Sequence, residues 1–114
     1  MSYQALLVAP DGDYITDYHF ETKEEVLNRL ADRGSDWFFY PFEFVVTDKM
    51  GRVLEAPPEL AFFKGKSVQT VIKTFKEAYK IAQEKVNKTG DDIDLFEYID
   101  LVKNIFIVRR VNHD

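Results

Sequence analysis

Two hydrophobic rhythms run along the chain. Residues 3–9, YQALLVA, and 14–20, YITDYHF, are rich in aromatic and β-branched residues. Pro10-Asp11-Gly12-Asp13 separates them. Pro presets φ, Asp accepts hydrogen bonds within a turn, and Gly takes a left-handed conformation, so this stretch predicts a β-hairpin. Thr22 followed by Glu25 is a capping box, and Val26, Leu27, Leu30 and Ala31 recur at helical spacing before Gly34. That predicts a helix over 23–33.

Alternation returns in DWFFYPFEFVVTDK. It places Phe38, Tyr40, Phe42, Phe44 and Val46 on one face of a strand, and Trp37, Phe39, Glu43, Val45 and Thr47 on the other. Pro41 has no amide to give to a ladder, which predicts an edge position or a bulge. Asp48-Lys49-Met50-Gly51 reads as a second hairpin loop returning through RVLEA, after which Pro57-Pro58 ends the strand and ELAFF makes a single turn. From Val68 to Gly90, the residues Val68, Val71, Ile72, Phe75, Ala78, Tyr79, Ala82 and Val86 fall within an arc of about 120° at 100° per residue, the mark of a long amphipathic helix. A further helix is predicted over 92–103, capped by Asp91 or Asp92, and the β-branched tail IFIVRRV predicts a closing strand.

The order β-β-α-β-β-α-α-β predicts a single α+β domain over residues 1–114, with a mostly antiparallel sheet and helices packed on one face. At 114 residues the chain is long enough to build a core without metal or disulfide, and it has no cysteine, which excludes thiolate catalysis and thiolate metal sites. Aromatic residues make up 15% of the chain; in a small α+β domain they predict a core of few large side chains ahead of a base-stacking surface. No apolar run is long enough to span a bilayer, and MSYQALLVAPDGD lacks the basic start of a signal peptide, so the expected location is cytoplasmic and no membrane partner is expected.

Charge is distributed unevenly. Residues 1–63 hold five basic and twelve acidic side chains, 64–88 hold seven and two, and 89–114 hold three and six. One basic segment therefore sits in an acidic chain of net charge −5. Its first residues, Lys64-Gly65-Lys66-Ser67, end like a Walker phosphate loop. That loop needs Gly four residues before Gly-Lys-Ser, and Leu60 occupies the position. The nucleotide-binding reading fails, leaving Ser67 as the cap of the long helix. Lys64 and Lys66 then stand at the positive end of the helix dipole, where an anion from a partner or from the chain itself would answer them. Lys73, Lys76 and Lys80 lie within an arc of about 60° on the long helix, with Glu77 and Glu84 one turn on from Lys73 and Lys80. Ile81 is read as an apolar member of that surface.

Other chemistry is thin. Asp91-Asp92-x-Asp94 lacks the remaining ligands of a calcium loop, and His19 and His113 do not make a metal site by themselves. Ser2, Ser35 and Ser67 occupy no nucleophile-elbow context, and Asp17 with His19 share one strand face as the sole candidate dyad. No catalytic residue, metal or cofactor is expected. The expectation is a small non-enzymatic protein-interaction or regulatory module that contacts another protein through Lys64, Lys66, Ser67, Lys73, Lys76, Lys80 and Ile81. In general character, and by no motif, such a stand-alone acidic domain resembles accessory proteins of phages and mobile elements. The alternative is weak nucleic-acid binding through the Lys-rich face of residues 67–88, aided by Arg109 and Arg110. A homodimer formed through an exposed strand edge is a further possibility.

Overall fold

The computed structural model describes residues 3–32, 34, 36–47 and 51–109; at 17–19, 36, 37 and 109 only the backbone is described. Among these residues, β1 (Tyr3–Val8), β2 (Tyr14–Phe20), β3 (Phe42–Thr47) and β4 (Val53–Glu55) form one antiparallel sheet in the order β2-β1-β3-β4. The helices are α1 (Lys23–Ala31), the single turn α2 (Asp36–Phe39), α3 (Val68–Thr89) and α4 (Leu95–Asn104). A 3-10 segment, Pro58–Phe63, leads toward α3, and a π turn, Ile105–Arg109, prolongs α4. The α+β class and the antiparallel sheet follow the sequence pattern.

The caps sit where their chemistry places them. Thr22 Oγ1 accepts from the Glu25 amide at 3.2 Å and starts α1. Ser67 Oγ accepts from the Thr70 amide at 3.1 Å, and Gly90 closes α3 in a left-handed conformation at φ 75°. Asp94, and neither Asp91 nor Asp92, caps α4 through its Oδ1 on the Glu97 amide at 2.9 Å, so this helix starts later than its acidic prelude suggests.

Strand alternation makes two cores. Leu6, Val8, Phe42, Phe44, Val46 and Val53 point to the face covered by the 3-10 segment, α3 and α4. Aromatic rings fill that layer. Phe75 lies 4.9 Å from Phe42 and 6.1 Å from Phe63, and Phe63 meets Phe106 edge-on at 5.2 Å. On the opposite face Ala5, Leu7 and Val45 pack with Val26 and Leu30 of α1. Helices therefore cover both faces, because β1 and β3 carry apolar side chains at successive positions, which leaves neither face polar.

Four other local expectations change. Asp36–Phe39 is a helical turn, and the chain enters β3 only after Pro41, leaving Phe38 and Phe39 exposed at 78% and 70%. Strand β3 is also internal, between β1 and β4, because Pro41 precedes the ladder and breaks nothing in it. The expected closing strand is absent from the described residues, since α4 runs straight into the π turn and buries Ile105 and Phe106. Ile81 is half-buried against the larger core and does not belong to an exposed Lys patch. It lies on the flank of α3 occupied by Thr70 and Thr74, both fully buried; the Thr74 hydroxyl donates to the Thr70 carbonyl at 2.7 Å and so satisfies itself inside the helix.

The β1–β2 turn docks on α3. Gly12 is buried at φ 89°, and a Cβ there would stand 2.4 Å from Lys76 Cγ and 3.2 Å from the Lys76 amide nitrogen. Gly90 has the same left-handed backbone with open space around it. Gly90→Ala is expected to cost about 1 kcal/mol for its backbone alone. Gly12→Ala should cost about 2–4 kcal/mol, because the overpacking is added. Urea denaturation of both variants measures the difference; equal losses would show that the close approach to α3 contributes nothing.

Candidate functional site

The segment Lys64–Ser67 is a covering for the sheet edge. The Val53 amide donates to the Lys66 carbonyl at 2.9 Å, the Gly65 amide to the Val53 carbonyl at 2.8 Å, and the Val68 amide to the Gly51 carbonyl at 2.8 Å. Arg52 Nη1 donates to the Gly65 carbonyl at 2.9 Å. The amides of Lys64 and Lys66 donate to Ala61 and Phe63. The amides of 64, 65, 66, 68 and 70 thus all serve the fold, and none of them is aimed outward as a phosphate cradle would require. Gly65 is needed for its turn at φ 83°. Lys64 finds its anion within the chain, with Nζ 3.9 Å from Glu55 Oε2, and Lys66 is half-buried.

Glu55 belongs foremost to Lys23, whose Nζ donates to Oε1 at 2.7 Å. That hydrogen bond, followed by the Lys23 charge, holds the Glu55 carboxyl below its usual range, and the same bond, followed by the Glu55 charge, holds Lys23 above its own. The pair crosses a groove of about 550 Å³ between α1 and the end of β4, lined in part by Leu27, Glu43, Pro57 and Pro58. Both partners are well exposed to water, so the pair contributes little to the stability of the fold.

Lys73, Lys76 and Lys80 are exposed on α3, separate from Lys64 and Lys66, and Ile81 is not among them. Among the described residues no ion pair reaches these three lysines, and Glu84 does not engage Lys80. Asp17 and His19 lie on β2 with their side chains outside the described residues, as do the Arg109 side chain and all of Arg110, Ser2, Ser35 and His113. Among the described residues no three metal-ligating side chains gather, and no helix is long and apolar enough to cross a membrane.

Sequence reasoning missed a cleft of about 340 Å³ between α3 and α4. Helix α3 contributes Tyr79, Ala82 and Val86, the approach to α4 contributes Ile93, α4 contributes Leu95 and Tyr98, and Pro10 completes the apolar lining. Gln83, Asn87 and Asp94 supply polar groups, and Gln83 Nε2 donates to the Tyr79 hydroxyl at 2.9 Å. Leu95 and Phe96 stand exposed at the start of α4, at 50% and 76%. Their signal was in the sequence: an apolar pair directly behind an Asp-rich helix start, where a first turn packed against a core needs only one inward side chain per turn.

Tyr98 anchors this cleft. Its hydroxyl donates to the Pro10 carbonyl and lies 3.2 Å from the Phe75 carbonyl, joining the β1–β2 turn, α3 and α4. Burial, followed by the Asp11 carboxylate and Tyr79, raises the phenol well above its ordinary titration range. Compared with family models, curated proteins and solved structures, the chain matches none.

Tyr98→Phe leaves a buried hydroxyl-sized gap and removes the donor, and it should cost about 1–3 kcal/mol. A phenol whose folded pKa is raised contributes stability that is complete below its unfolded pKa of about 10 and is lost as pH rises further. Stability curves above pH of about 10 should therefore fall less steeply for the variant than for the parent chain. Parallel curves would remove Tyr98 from the alkaline transition.

Proposed function

We propose that this chain is a non-enzymatic interaction module that docks a protein partner at the α3–α4 cleft and the adjoining Leu95 and Phe96. The observation that carries this reading is the exposed apolar pair beside an apolar cleft. Exposed single apolar residues are ordinary on protein surfaces; two large ones bordering a concave apolar surface have the composition of an interface centre. Within the cleft Tyr98 is tied to the β1–β2 turn and to α3, which limits the ordering cost of binding. The docking surface thus moves from the Lys64–Ser67 start to the other end of α3.

Weak nucleic-acid binding is the second reading, supported by the three exposed lysines Lys73, Lys76 and Lys80 without ion-pair partners among the described residues. Three phosphate contacts would give weak binding with a steep salt dependence.

Phe96→Asp alters a side chain already in water, so the fold should persist while capture of the partner from host extract falls at least about tenfold, as for a central aromatic contact. Undiminished recovery of the same partner by this variant would exclude the α4 start as the docking surface. For the second reading, DNA and RNA mobility shifts at low salt should weaken as salt rises and vanish in Lys73→Glu/Lys76→Glu/Lys80→Glu. Absence of any shift with the parent chain would eliminate it.

A further inference from the structure

We infer that the α3–α4 cleft takes a partner segment carrying an apolar side chain next to an arginine or lysine. This rests on the docking reading above and adds the chemistry of the occupant. Asp94 is the one residue with a formal charge among those lining the cleft. Its Oδ1 is engaged by the Glu97 amide, and among the described residues no hydrogen bond uses its other oxygen. That leaves a carboxylate oxygen at the edge of an apolar surface.

The surroundings have the same sign. Asp91 and Asp92 are exposed and directly precede Ile93 of the lining, and Asp11 follows Pro10 of the lining, near enough for its charge to act on Tyr98. Lys85, directly before Val86 of the lining, is paired with Glu97 at 4.0 Å. At 100° per residue Lys80 and Lys73 point about 90° and 110° from the middle of the α3 wall, just beyond its Asn87 edge. The stem of Lys76 lies against Gly12.

Size completes the argument. A volume of about 340 Å³ is near the lower end of ligand-sized pockets, roughly 300–1,000 Å³, and suits one or two side chains. An apolar stem with a cationic head is the chemistry of arginine and lysine, which lay their methylenes on apolar surface and keep the charge at its edge. An acidic segment or a phosphate backbone would meet like charge here.

The test uses blocked tetrapeptides alternating Leu with Arg, Gln or Glu, titrated into the isotope-labelled full chain and followed by amide chemical shifts. The Leu/Arg peptide should perturb Ala82, Val86, Ile93 and Leu95, with the Glu peptide at least about tenfold weaker. Asp11→Asn/Asp94→Asn keeps both local roles, since Asn caps helices and turns as Asp does, and it removes only the charge. It should weaken the Leu/Arg peptide about fivefold, and added salt should reduce the gap between parent and variant. If the Gln peptide binds the cleft as tightly as the Arg peptide, the cationic requirement falls and the docking reading survives. If no peptide perturbs the cleft residues, both fall. Concentration-dependent growth in mass of the chain alone, with shifts at the same residues, would replace the partner segment with a second copy and overturn the inference.

Discussion

The hydroxyl of Tyr98 is the point on which the arrangement of the helical layer depends. It joins the Pro10 carbonyl in the β1–β2 turn to the Phe75 carbonyl in the middle of α3, and it does so from α4. Three segments distant in sequence thus share one polar contact inside an aromatic layer. Such a group is expensive to bury without partners, so its partners fix where α4 can lie. Gly12 supplies the steric half of the same constraint. It allows the turn to press on the α3 backbone at Ile72 and Lys76, so the hairpin and the long helix meet without a gap. Once α4 is held at Tyr98, its first residues stand away from α3, and the cleft is the space between them.

The two ends of the sheet are managed differently. The outer edge of β4 is closed by residues 64–68, which pair with Gly51, Arg52 and Val53 before α3 begins. Edge strand β2 shows a register irregularity against β1 between Tyr3 and Ala5, and bulges of this kind discourage pairing with another chain. The Gly-Lys-Ser sequence is accordingly explained by three local needs: a left-handed glycine, a carbonyl and amide pair for β4, and a hydroxyl cap for α3.

Features that depend on near neighbours in sequence were legible: the hairpin around Pro10–Asp13, the Thr22 and Ser67 caps, and the glycine stop at Gly90. Features decided by packing were not. Thr70 and Thr74 are fully buried yet polar in type, so the buried arc of α3 is wider than its apolar residues alone show, and Ile81 falls inside it. The β-branched content of the tail IFIVRRV favours a strand. Yet Tyr98, Val102, Ile105 and Phe106 keep helical spacing, no Gly or Pro interrupts them, and all four are buried. Periodicity continued across the boundary and prevailed over intrinsic preference. The cleft could not be read at all, because it exists only through the angle between α3 and α4, which Tyr98 sets from 88 residues away in sequence from Pro10.

Placing a docking surface against Tyr98 has an energetic consequence. A ligand that occupies the cleft contacts Pro10 and Tyr98, whose hydrogen bond holds the hairpin to α4. Unfolding would separate them and abolish the cleft, so a ligand bound there must stabilise the native chain by an amount that grows with its concentration relative to Kd. The Lys73/Lys76/Lys80 stripe owes its spacing to the helix itself, with one contact to another element where the stem of Lys76 lies against Gly12; ligands there would act on the fold mainly through charge, and salt would remove their effect. The two surfaces therefore differ in kind. One is created by tertiary packing and is coupled to it; the other is set by the spacing of a single helix and is readable from its sequence.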